Sequence, residues 1–370
     1  MKRAFFLIFG VLVSVGCFAA SLKGTSTAEL RQAVAGANYL TLPVLLLLLF
    51  GFYWLKTIRW KWLLAPVAQL TTSQLFPPML IGFAANNLLP AHLGEFVRVF
   101  VVRHRYGIPA STVLSTVVLE RIFDVLAILA LFGAGLAWSG DLPDNYRQSA
   151  LVLGGLAFCV VISVVVYLIW TEWFLQLLGR VCSWAPFLPD AVTQKIVGML
   201  RTGADGLAVL RSGRMVLAIT VSSLVQWLMN GMMAWVALKA FGIPVTLATG
   251  MIVTGVTALG VTIPSTPGYF GVIQMCFQVS MNAQAVVPDP SQVLGASLYY
   301  HISMYIPVTA LGLFFLHQSG MHLRDLQTAA DHVADDESGA ATAQGGETSG
   351  DVPPSDSGDD VDGSRMSIVS

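Results

Sequence analysis

Long apolar stretches separated by short polar ones run along most of the chain, and their lengths predict helices that cross a membrane. Six stretches are long enough for a hydrocarbon core of about 30 Å, which takes roughly 20 residues. They are Ala4 to Ala20, Tyr39 to Leu55, Ser111 to Trp138, Ser149 to Trp170, Met215 to Phe241 and Ser291 to His317. Two further stretches, Leu70 to Val102 and Thr246 to Ala283, are interrupted in the middle by proline and glycine. The pattern predicts an all-α polytopic membrane protein with about six transmembrane helices plus two re-entrant hairpins.

Basic residues orient the spans, because Lys and Arg gather on the cytoplasmic side. Lys2-Arg3 starts the chain inside, and the first apolar run reads as a retained signal-anchor helix rather than a cleaved signal peptide. The second span returns to Lys56, Arg59 and Lys61, and the next basic cluster is Arg98, Arg103, His104 and Arg105. Two inside clusters flank Leu70 to Pro90, so that segment enters the membrane and comes back. The third span leads to the outside loop Ser139 to Asp144. The fourth returns to Thr171 to Arg214, whose Trp173, Phe174, Leu177, Leu178 and Val181 suit an interfacial amphipathic helix. The fifth span exits near Pro244, the second broken segment enters from the opposite face, and both termini lie in the cytoplasm of a multi-pass inner-membrane protein.

The two broken segments resemble each other. The first contains Pro90-Ala-His-Leu-Gly94-Glu95, the second Pro264-Ser265-Thr266-Pro267-Gly268-Tyr269-Phe270-Gly271. Each precedes a span with polar residues deep inside: Glu120, Arg121 and Asp124 in one, Tyr300, His301 and Tyr305 in the other. Glu120 lies eleven residues after Pro109 and His301 eleven after Pro290, about 16 Å along a helix in both cases. Entered from opposite faces, both sets reach the midplane, which is the inverted-repeat architecture of many transporters.

Composition sharpens this picture. Hydrophobic residues make up 55% of the 370 and charged residues 11%, far below the roughly 25% of soluble domains. The formal net charge of −1 conceals an asymmetry: of 20 Lys+Arg and 21 Asp+Glu, two and eleven lie from Ser319 onward, leaving 18 against 10. A basic membrane domain over residues 1–318 and a disordered acidic cytoplasmic tail over residues 319–370 are expected. The cysteines (Cys17, Cys159, Cys182, Cys276) form no C-x-x-C pair, and neither a metal site nor any cofactor is expected. No nucleotide-binding loop, serine-hydrolase elbow or nucleic-acid-binding pattern is visible.

Ionisable groups at the bilayer centre cost roughly 2.5–3.5 kcal/mol each on insertion scales, so Glu120, Arg121 and Asp124 need partners. They form either a structural ion-pair network locking the third span to the first hairpin or a contact for substrate or protons. Glu95 and Arg98 are spaced i,i+3 as a pair, and Arg98 shares a face with Arg105, suiting a phosphate. Arg103 to Arg105 also serve as topology markers. Pro90, Gly94, Pro264, Pro267, Gly268 and Gly271 break helices, and a broken end offers free N–H groups to an anionic headgroup. Ser265, Thr266 and Gln274 add neutral hydrogen bonds, with Tyr300 nearby. His301 is a titratable group or a satisfied core histidine. Trp54, Trp60 and Trp62 read as an interfacial aromatic belt.

Three blocks together carry a family resemblance: Asn87-x-x-Pro90-x-x-x-Gly94-Glu95-x-x-Arg98, Glu120-Arg121-x-x-Asp124 and Pro264-x-x-Pro267-Gly268-x-x-Gly271. The chain from about Leu40 to Leu316 resembles the lysylphosphatidylglycerol synthase transmembrane, or flippase-like, family. It departs at Gln274, where a Glu is common shortly after the second Gly, and at His301, where Arg often stands beside Tyr. The resemblance implies a lipid-binding role for the motif residues, Asn87 included. It also implies that lysyl-lipid synthesis needs a large soluble transferase domain, which neither the Thr171–Arg214 loop nor the tail provides.

The expected function is therefore a non-enzymatic, flippase-like transporter of an anionic phospholipid or polyprenyl-phosphate-type lipid. A membrane enzyme acting on a lipid phosphate, with Glu95, Glu120 or His301 as acid or base, is one alternative. A non-catalytic partner of an envelope-synthesis enzyme is the other.

Overall fold

The computed structural model describes residues 2–89, 93–139, 155, 159, 212–283 and 287–320. Among them every regular element is a helix. The chain runs α1 (Lys2–Ser21), α2 (Thr27–Gly36), α3 (Leu42–Leu64), α4 (Thr72–Leu88), α5 (Gly94–Tyr106) and α6 (Ala110–Trp138). It continues with α7 (Gly213–Ala240), α8 (Leu247–Gly260), a 3-10 turn at Pro267–Tyr269, α9 (Val272–Asn282) and α10 (Pro290–Gln318). The predicted span at Ser149 to Trp170 (Gly155 and Cys159 apart), the loop from Thr171 to Arg211 and the tail beyond Gly320 lie outside the described residues, as does Pro90.

Among the described residues three stretches are long and apolar enough to cross a membrane: Tyr39–Leu64, Gly213–Ala240 and Pro290–Gln318. Phe9–Ser21 and Leu247–Gly260 are shorter apolar helices. The 29-residue α6 is as long as these spans but carries Glu120, Arg121 and Asp124 within it. α3 continues nine residues beyond the predicted end at Leu55, because Lys56 and Arg59 stay in the protein interior.

The first broken segment is a helical hairpin. Thr71 caps α4 through a capping box with Gln74, satisfying otherwise orphaned N–H groups. Pro78 inside α4 has no N–H for the Gln74 carbonyl, and that carbonyl instead accepts the Tyr106 hydroxyl at 2.8 Å. Near the tip the Gly94 N–H donates to Asn86 Oδ1 at 2.8 Å. The start of α4 thus meets the end of α5, and the two helices run antiparallel. A Cβ on Gly94 would collide with the Gly82 carbonyl and the Asn86 amide, so this crossing exists only because both positions lack side chains.

The second broken segment has the same plan. α8 and α9 pack on each other across the 261–271 break, with Gly260 against Cys276 and Val272. Gly268 and Gly271 take φ of +76° and +87°, and Tyr269 between them is held at φ +59°, a left-handed conformation that costs a bulky residue energy. α1 braces this break: the Thr266 N–H donates to Ser14 Oγ at 2.9 Å.

Packing between the halves is reciprocal. α4 of the first hairpin lies against α10, α8 of the second hairpin lies against α6, and α3 and α7 pack on each other. Glycines mediate these crossings: Gly312 faces Leu80 and Ala84, and Gly135 faces Ala248 and Met251.

Candidate functional site

Seven ionisable side chains from α3, α5 and α6 converge where the first hairpin meets the long helices. Lys56 and Arg59 are one turn apart on α3 and point inward. Lys56 Nζ lies 2.9 Å from Glu120 Oε1 and 2.8 Å from Asp124 Oδ2. Arg59 Nη1 lies 2.8 Å from Asp124 Oδ1 and also reaches Ser223 Oγ. Arg98 comes in from α5, 3.0 Å from Glu120 Oε2, and its guanidinium stacks 4.2 Å over the Trp60 ring. The Trp227 indole N–H donates to Asp124 Oδ1 at 3.0 Å. These five charged side chains are nearly sealed, at most 3% exposed.

Arg121 and Glu95 differ. They pair at 2.6 Å, and their side chains are 36% and 26% exposed. Arg121 is turned from the sealed core, with only a long 3.8 Å contact to Asp124. With all seven ionised, four cations face three carboxylates, so the cluster holds one excess positive charge. Its accessible edge is the Glu95–Arg121 pair. Tyr269, from the second break, lies within electrostatic reach of both.

The second-half residues gather around the turn. Gln274 Oε1 accepts from the Gly271 N–H at 2.7 Å, and Gln274 Nε2 is 3.2 Å from His301 Nδ1. The His301 ring packs against Phe270 and Tyr305. The Tyr305 hydroxyl donates to the Asn87 carbonyl at 3.3 Å, and Asn87 Nδ2 donates to Thr309 Oγ1 at 2.9 Å. The two breaks therefore meet each other through Asn87, Tyr305, Gly268 and Tyr269.

Several expected partnerships are different. Arg98 does not pair with Glu95 or act with Arg105: it is buried on Glu120, while Arg105 is exposed. Lys56 and Arg59 are not a surface signature, since a helix that continues to Leu64 carries them into the core. Lys61 is the member of that cluster left partly exposed. Trp60 is fully buried and donates to Thr116 Oγ1 at 3.1 Å, so Trp54 alone of Trp54, Trp60 and Trp62 is well exposed. Tyr300 turns away from His301 to donate to Asn230 Oδ1 at 3.1 Å. Ser265 sits on Gly10, and Pro264 and Pro267 are exposed. Trp227 and Asn230 carry no signal in the sequence, whereas Lys56 and Arg59 read there only as a boundary cluster and Tyr269 only as part of the second break. The i,i+3 spacing of Lys56 and Arg59 beside a buried carboxylate pair was the available signal.

The chain belongs to the family described as the lysylphosphatidylglycerol synthase TM region, whose model matches residues 7–312. The match takes in α1 as well as the region that carries the motif blocks. A UPF0104 membrane protein of Methanothermobacter thermautotrophicus is 26% identical over 326 residues, 85% of this chain and 93% of that protein. Another from Methanocaldococcus jannaschii is 21% identical over 234 residues, 63% of this chain and 92% of its own. The glycosyltransferase AglD of Haloferax volcanii is 25% identical over 248 residues, 60% of this chain but only 39% of AglD. No solved structure matches. This is a membrane-embedded protein of that family.

Proposed function

We propose that the protein moves an anionic lipid, a phospholipid or a polyprenyl-phosphate-type lipid, between the leaflets of the inner membrane without changing it chemically. The carrying observation is the excess positive charge whose one accessible edge, Glu95–Arg121, lies where the two halves meet. A lipid phosphate approaching that edge balances the cluster by taking Arg121 from Glu95, and Arg suits phosphate geometry through its forked donors. Non-helical backbone at membrane depth is tolerated where it lines a cavity or is buried in protein, and both breaks converge on this point. The reciprocal packing of α4 on α10 and α8 on α6 supports an inverted repeat with both hairpins re-entrant. The cytoplasmic placement of both termini rests on the basic start Lys2-Arg3 and an even number of crossings. Such a repeat moves by rocking one half against the other around a central site.

Leaflet-resolved lipid movement in proteoliposomes tests this reading. The wild-type protein is expected to accelerate anionic lipids, and Arg121→Met to slow them at least tenfold while the protein stays folded. Movement at the wild-type rate in a folded Arg121→Met variant removes the site assignment, and no acceleration across a panel of anionic headgroups removes transport.

A further inference from the structure

Gln226 lies on the inner stripe of α7, one turn from Ser223, which holds Arg59, and one turn from Asn230, which holds Tyr300. Its side chain is fully buried, yet neither the amide oxygen nor the amide nitrogen has a hydrogen-bond partner among the described residues. Leaving a buried polar group unmade costs about 1–3 kcal/mol, and an amide has both a donor and an acceptor to satisfy.

The helix facing it supplies a second such group. α7 and α8 run antiparallel: Trp235 Nε1 donates to the Val245 carbonyl at 3.0 Å, Gly250 packs on Gly231 and Trp235, and Thr254 Oγ1 donates to Asn230 Oδ1 at 3.3 Å. Continuing that register by one turn sets Gln226 opposite Thr257. Thr257 Oγ1 is likewise buried without a partner. Asn230, Thr254 and the Tyr300 hydroxyl stand one turn away on one side, and on the other Ser223 meets Arg59 while Trp227, next to Gln226, donates to Asp124. A neutral hydrogen-bonding region thus adjoins the cationic one.

We propose that Gln226 and Thr257 form a subsite for an uncharged, hydroxyl-bearing group attached to the lipid phosphate, either a glycerol or a sugar. The anionic half of this ligand rests on the transport reading above; the neutral half rests on Gln226 and Thr257. A hydroxyl donates and accepts at once, which matches an amide facing a threonine hydroxyl. An ammonium group is disfavoured beside the excess positive charge. A site built to hydrogen-bond a hydroxyl also discriminates strongly against ligands that lack one.

Thermal unfolding of the full chain in detergent, with soluble phosphates, tests the subsite apart from transport. Glycerol 1-phosphate or glucose 1-phosphate is expected to raise Tm at concentrations at least tenfold below inorganic phosphate or phosphoethanolamine. Which of the two acts at lower concentration distinguishes a phosphoglycerol lipid from a phosphosugar lipid. Gln226→Leu, Gln226→Met and Thr257→Val should each shrink that tenfold preference towards one, and two replacements of Gln226 guard against a fold defect in either. Equal response of the wild type to inorganic phosphate and both polyol phosphates overturns the subsite, as does a preference that survives loss of Gln226. In proteoliposomes, binding preference without lipid movement overturns transport alone. Lipid movement with no preference for phosphatidylglycerol over phosphatidic acid, and no polyol preference in Tm, overturns the subsite alone.

Discussion

At the scale of single residues, three acidic groups that look equivalent in the sequence have separate duties. Glu120 touches Lys56, Arg59 and Arg98, and Asp124 is held by Lys56, Arg59 and Trp227. Both are enclosed, and their carboxylates are saturated by the protein's own donors. Removing one partner of a buried pair leaves uncompensated charge, a loss of about 3–5 kcal/mol. Glu120→Gln is accordingly expected to lower unfolding free energy by that amount, read by denaturant or thermal unfolding in detergent. Glu95 belongs to the half-buried pair with Arg121, where an ionised group keeps part of its solvation and neutralising one partner costs less than in the sealed five. Glu95→Gln should therefore unfold closer to the wild type than Glu120→Gln does, while altering lipid movement. Equal destabilisation by the two substitutions would show that Glu95 belongs to the scaffold. Under the proposed function, the same division makes Arg121, rather than Arg59 or Arg98, the cation expected to meet a ligand.

At the scale of elements, the hairpins depend on close backbone approach rather than on hydrophobic contrast. A Cβ on Gly94 has the Gly82 carbonyl in its way, so Gly94→Ala must part α4 from α5. Overpacking of this kind costs typically 1–3 kcal/mol, and the Asn86–Gly94 hydrogen bond is lost with it. A fall in Tm for Gly94→Ala, unmatched by Gly16→Ala at a position with open space around it, is the expected measurement. If the first hairpin is re-entrant, single cysteines at Ala68 and Arg103 label from the same side of the membrane, and labelling from opposite sides removes the hairpin reading. These breaks were legible in the sequence because proline and glycine interrupt an apolar run visibly, and the ends of α6, α7 and α10 fell within two residues of the predicted spans. What was not legible is direction. Lys56 and Arg59 have the composition of a cytoplasmic boundary, and only the extension of α3 past α6 reveals that they face carboxylates instead. α2 was missed for a related reason: it buries no residue, so no apolar period announces it, and its capping box from Ser26 to Glu29 was the available sign. The pairing of Arg98 was misread because i,i+3 spacing favours Glu95 locally, whereas the buried Glu120 offers a partner without water.

At the scale of the whole molecule, the two breaks meet through polar contacts set among glycine-mediated packing. Asn87 on the first hairpin binds Thr309 on α10 and accepts the Tyr305 hydroxyl, while Tyr269 reaches from the second break towards Glu95 and Arg121. If lipid movement requires one half to rock against the other, these contacts must separate or re-form in each cycle, whereas binding of a headgroup phosphate to Arg121 need not disturb them. Joining Asn87 to Thr309 separates the two requirements. With cysteines at both positions and a short bifunctional thiol reagent across their side chains, which in the wild type are 2.9 Å apart, α4 is fixed to α10. Leaflet-resolved lipid movement should fall at least tenfold and return when a thiol reductant releases the link, while the Tm increase produced by soluble phosphate persists in the linked protein. Undiminished movement with the link intact would rule out rocking at this interface and place any motion in the hairpin tips, since α4 and α10 would then be static partners through the cycle. Loss of the phosphate response together with movement would mean that the link distorts the Glu95–Arg121 edge, a result that the singly substituted Asn87→Cys protein, carrying reagent on one side only, separates from a block in motion.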